Sequence, residues 1–100
     1  MKGKIHWIGT NGDYTIVPAD EPPTLAQMQA FVKGYIELMT VTVGKKPEQL
    51  IINEEGRMKG LPPNRIATQI AQASYIVNDG IIADAQIVGP AILLQGIRME

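Results

Sequence analysis

The sequence predicts an α+β domain with a mostly antiparallel sheet and two helices on one face, its elements in the order ββαββαβ. Three observations lead there. Asn11-Gly12 sits between two loosely alternating segments, the strongest short hairpin signal in the chain. Thr24 with Gln27 three residues on forms a capping-box pattern ahead of apolar residues at helical spacing. A β-branched run up to Val43 is followed by the apolar triplet Leu50-Ile51-Ile52, which reads as a second hairpin. One hundred residues form one domain, and we take residues 1–100 as a single α+β unit.

Lys4 to Thr10 is expected as the first strand and Tyr14 to Val17 as its return. Pro18, Pro22 and Pro23 are expected to stop it, because proline donates nothing to a ladder. The first helix starts after Thr24, places Leu25, Met28, Phe31, Val32 and Tyr35 at helical spacing, and has Gly34 as its terminator. In the strand Tyr35 to Val43, Tyr35, Glu37, Met39, Val41 and Val43 face one way, and Ile36, Leu38, Thr40 and Thr42 the other. After the turn Asn53-Glu54-Glu55-Gly56 and a loop to Pro63, Asn64 is expected to cap a second helix. Its packing stripe is Ile66, Ala67, Ile70, Ala71 and Ser74, and Asn78-Asp79-Gly80 ends it. The last apolar stretch, Ala85 to Leu94, is interrupted by Gly89-Pro90. It is therefore expected at a sheet edge, as two short strands or one with a bulge.

Composition narrows the function classes. Nine basic and ten acidic side chains nearly cancel, so the chain has no general attraction for nucleic acid. Without cysteine there is neither a disulfide framework nor a thiolate metal site. No window approaches the roughly 18 consecutive apolar residues of a membrane span, and the N-terminal residues lack an apolar signal core. The expectation is a cytoplasmic protein with no cofactor and no metal.

Reaction machinery is sparse, and we expect no enzyme. His6, the single histidine, has no acid or nucleophile placed beside it by the sequence. Ser74, the single serine, falls in the helix stripe. Glu54 and Glu55 are sequence neighbours, which in a strand point to opposite faces, and they read as solvated turn residues. Glycine-rich phosphate loops are absent.

Two places suggest binding. Pro62-Pro63-Asn64-Arg65 brings a rigid loop, a capping side chain and a guanidinium to a helix N-terminus, where N–H groups and the helix dipole favour an anion; Arg57 and Lys59 add positive charge nearby. Glu37, in an otherwise apolar row, requires a partner if buried, and Arg65 or Lys59 is available.

Three ordered motifs, Gly34-Tyr35-Ile36-Glu37-Leu38, then Asn53-Glu54-Glu55-Gly56 with Lys59-Gly60-Leu61-Pro62-Pro63-Asn64-Arg65, then Ile87-Val88-Gly89-Pro90-Ala91, resemble a small uncharacterised domain family carried by phages, plasmids and their bacterial hosts. The resemblance runs across residues 14 to 95 and implies a mobile-element setting inside a host cell, with no reaction attached. The segment between Arg65 and Ile87 is longer than the spacer usual in that family, and Gln72 to Asp84 has no counterpart in it.

Two functions follow as expectations. The first is non-enzymatic sequestration of a small nucleotide-derived signal of host defence, with Arg65, Asn64, Asn53, Glu54, Tyr35 and Glu37 as ligand-binding residues and Tyr35 or Trp7 as a stacking surface. The alternative is a protein-binding inhibitor or regulator of a host defence or nucleic-acid-processing protein, using a strand edge or the 72–84 segment. A homo-oligomer, a dimer, is expected from the apolar content.

Overall fold

The computed structural model describes residues 2–77 and 86–99. Its elements are β1 (Gly3–Ile8), β2 (Tyr14–Ala19), α1 (Leu25–Val32), β3 (Ile36–Val43), β4 (Lys46–Asn53), α2 (Arg65–Val77) and β5 (Ala91–Gln95). The α+β class and the ββαββαβ order are as the sequence predicts. In space the five strands run β2-β1-β5-β4-β3, and every neighbouring pair is antiparallel.

Local chemistry sets the element ends. In the first turn Gly9 N–H donates to Asp13 O at 2.7 Å and Gly12 takes φ 92°. Between β3 and β4, Gly44 (φ 60°) and Lys45 (φ 86°) are the two linking residues, both left-handed, as a two-residue hairpin turn requires. Thr24 and Gln27 form the complete reciprocal capping box of α1. At the other end of α1 the left-handed residue is Lys33 (φ 69°), one position before the expected Gly34.

Three expectations need correction. The helices lie on opposite faces of the sheet. Ala67 and Ala71 of α2 pack with Leu50, Leu93 and Val41, whereas Met28 and Val32 of α1 pack with Ile51, Ile92 and Leu94. Consecutive strand residues point to opposite sides, so these clusters are separated by the sheet itself. β5 is central rather than at an edge: Gly89-Pro90 precedes the strand, outside the ladder, and Ala91 to Leu94 are buried because a helix covers each face. β2 continues through Pro18. Since Gly9 and Asp13 form a hydrogen-bonded pair, the alternation puts Lys4 and Pro18 in a non-bonded pair, so the proline nitrogen points outward from an edge strand and breaks no ladder bond.

The α2 stripe is as predicted, with Ser74 Oγ accepting from Thr42 N–H of the edge strand β3 at 2.8 Å. The expected helix stop at Asn78-Asp79-Gly80 and residues 78–84 of the long spacer lie outside the described residues.

Candidate functional site

Asn53 shapes the region after β4. Its buried side-chain amide donates to Val32 O at 2.9 Å, satisfying a carbonyl at the end of α1, while its Oδ1 accepts from Glu55 N–H at 2.7 Å. The turn closes further through Glu54 N–H to Tyr35 O (2.9 Å) and Leu61 N–H to Gly56 O (3.0 Å). Two glycines allow the close approaches. A Cβ on Gly34 would meet Asn53 Nδ2 at 2.8 Å, and one on Gly56 would meet Val88 Cγ2 at 2.9 Å. The three motif segments therefore pack directly on one another.

Between them lies a cleft of about 310 Å³. Met39, Ile52, Ile87 and Val88 give it an apolar wall; Glu37, Glu54, Glu55 and Arg57 supply charge. Arg57 Nη2 donates to Gln86 O at 3.2 Å, which holds the guanidinium at this end of the sheet. Met58, also lining the cleft, is 85 % exposed, an unusual state for a methionine at the mouth of an apolar recess.

Of the residues the sequence singled out, Glu37, Asn53 and Glu54 line this cleft together. Tyr35 is near in sequence but 65 % exposed and outside the lining. Glu37 is exposed rather than buried, so the requirement for a cationic partner falls away. Arg65 lines a different depression with Pro62, Pro63 and hairpin residues Thr10, Asn11 and Gly12. Asn64 is wholly buried, and its side chain is used internally: Nδ2 donates to Ile8 O and Gly89 O, both at 3.0 Å, and Oδ1 accepts from Ala67 N–H at 3.1 Å. It is the cap of α2, as predicted. Its bonds consume one of the N–H groups on which an anion site beside Arg65 would rely.

Sequence reasoning did not place Met39, Ile52, Met58 or residues 86–88 at a site. The available signal was the motif spacing itself, since each motif contributes to one cleft, and the fold was needed to show it.

His6 lies elsewhere. It is buried, with Nδ1 2.6 Å from Tyr14 Oη and Nε2 2.8 Å from Gln95 Oε1, so both ring nitrogens are engaged. Tyr14 is 41 % exposed as a residue, but its hydroxyl is held against buried His6, and this partial desolvation raises the phenol above its ordinary pKa. Among the described residues no group of three His, Asp or Glu is placed to hold a metal ion, and no helix is long and apolar enough to cross a membrane.

Fold and site define a small α+β domain, an antiparallel five-stranded sheet with one helix on each face and a cleft at one end of the β3–β4 hairpin. The chain belongs to the family described as domain of unknown function (DUF3846), whose model matches residues 5–98. No curated protein and no solved structure matches it.

Proposed function

We propose that this chain is a non-enzymatic binding domain that takes a small nucleotide-derived ligand in the cleft between the β3–β4 hairpin, the turn 53–58 and residues 86–88. The observation that carries the reading is the convergence of three sequence-distant motif segments on one recess with an apolar wall and a charged rim. Its volume is within the range of small-molecule sites, about 300–1,000 Å³. A base would lie against Met39 and Ile52, with Met58 folding over it. Glu37 and Glu54 are acceptors for ring and exocyclic N–H groups, and Arg57 is the guanidinium at hand for a phosphate.

The balance of charge orders the ligands. Among the described lining residues, three carboxylates against one guanidinium disfavour polyphosphates, so nucleosides, cyclic mononucleotides and cyclic dinucleotides rank above triphosphates. Histidine and serine, the residues that most often supply base and nucleophile, are committed to Tyr14 and Gln95 and to Thr42. A domain that holds such a ligand without converting it acts by sequestration. In the host cytoplasm that the motif resemblance implies, this removes a nucleotide-derived defence signal.

A thermal-shift screen over that panel tests the reading, because stabilisation rises with ligand excess over Kd. Met58→Ser and Glu37→Gln, both at exposed positions, should leave the unliganded melting temperature unchanged and lower ligand-induced stabilisation. Absence of a shift with every panel member contradicts it.

One observation favours a second reading. β2 is an edge strand exposed along its length, with Tyr14, Ile16 and Val17 all substantially accessible. Such an edge accepts an added strand from a partner protein or a second copy of the chain, and Pro18, which has no N–H, limits the registers available. Binding of a partner that is abolished by a proline at Ile16 and unaffected by Glu37→Gln would support this reading over the first.

A further inference from the structure

On the sheet face opposite that cleft, the β1–β2 hairpin and the C-terminal end of α1 border a second groove, lined by Trp7, Phe31, Lys33, Asn11 and Asp13 among others. Its floor is aromatic. The Trp7 and Phe31 rings meet edge to face, centroids 5.0 Å apart at 68°, and both remain partly accessible. Lys33 is exposed at its side and holds a left-handed backbone, φ 69°. A lysine pays a steric cost in that conformation, and helices usually place glycine or asparagine there. The neighbouring glycine does not occupy it: Gly34 serves the close approach to Asn53 and Lys59. The cap geometry does not call for lysine, so a cationic residue lining a groove with an aromatic floor needs another explanation.

We propose that this groove is a second binding site, for a planar aromatic ligand bearing one anionic group. The ring lies against Trp7 and Phe31, and the anion meets the Lys33 ammonium. Asp13, on the hairpin wall, restricts the anionic charge the groove accepts and offers an acceptor to an amino group on the ring. A nucleoside monophosphate and an aromatic carboxylate share this chemistry. The inference is independent of the three-motif cleft, with which the groove shares no lining residue.

Trp7 is the chain's single tryptophan, so its emission reports on this groove alone. Emission excited at the red edge of the indole band is followed while adenosine 5′-monophosphate, 4-hydroxybenzoate, adenosine or ribose 5-phosphate is added. The expected result is saturable quenching by at least one of the first two, with adenosine and ribose 5-phosphate weaker by about tenfold or more. Which of the first two binds identifies the source. In Lys33→Gly, whose backbone suits the position, the melting temperature should be no lower than wild type while the advantage of the anionic ligand disappears; Lys33→Arg should retain it. Absence of saturable quenching by both anionic aromatics at millimolar concentration overturns the proposal, and so does quenching unchanged by Lys33→Gly.

Discussion

The side-chain amide of Asn64 donates a 3.0 Å hydrogen bond to the carbonyl of Ile8, joining residues 56 positions apart in the chain. A second bond from the same nitrogen to Gly89 O, and the cap to Ala67 N–H, make this side chain the junction of β1, the segment before β5 and α2. Asn64→Ala removes all three partners inside a site with no solvent access and should lower stability by about 3 kcal/mol. Asn64→Asp keeps the cap acceptor but sets a carboxylate against two carbonyl oxygens, so it should be at least as damaging at neutral pH. Urea unfolding of the two variants measures both effects.

Gly34→Ala tests the packing of the first motif on the second. The added methyl would fall 2.8 Å from Asn53 Nδ2, which is pinned by its bond to Val32 O, and 3.0 Å from the mobile end of Lys59. Lys59 can move aside and Asn53 cannot without losing a buried bond. A loss of about 1–3 kcal/mol is expected, measured by the same denaturant titration.

Alkaline pH should expose the role of Tyr14. Its phenol titrates above the ordinary value of about 10 because burial disfavours the phenolate. The unfolded chain therefore ionises first. The stability this group contributes is fully present below the unfolded pKa and is lost as pH rises through the folded one. Lysines titrate in the same region, so the informative quantity is the difference between wild type and Tyr14→Phe. The variant should be less stable at neutral pH, where the 2.6 Å contact with His6 is lost, and the gap should narrow as pH rises above about 10.

Local signals in the sequence suffice where one element settles the outcome. The Thr24 box, the Asn64 cap, the α2 stripe and the pairing of β3 with β4 all depend on residues within a few positions of each other. The misplacements are long-range. A period of two tells which residues of β3 share a face, but not which face receives which helix, and so both helices were expected on one side. From sequence alone proline marks a strand stop at Pro18 and a sheet edge at Pro90; its effect depends on whether its nitrogen points into the ladder, which only strand order decides. Of the residues that the sequence singles out for binding, Glu37, Asn53 and Glu54 line one cleft. Arg65, expected to share a ligand with them, is carried by the fold towards the β1–β2 hairpin. Met58 gave no signal in the sequence, since methionine in a loop reads equally well as a core residue.

A ligand in the cleft between the three motifs must perturb the residues that line it. Two-dimensional amide spectra of the isotope-labelled chain, titrated with adenosine, guanosine, their 3′,5′-cyclic monophosphates and cyclic dinucleotides, read this residue by residue. Saturable shift changes centred on Glu37, Asn53 to Met58 and Gln86 to Val88 are predicted for at least one member, and they should weaken in Met58→Ser. Spectra in which those amides stay unmoved by every ligand would contradict the proposed function.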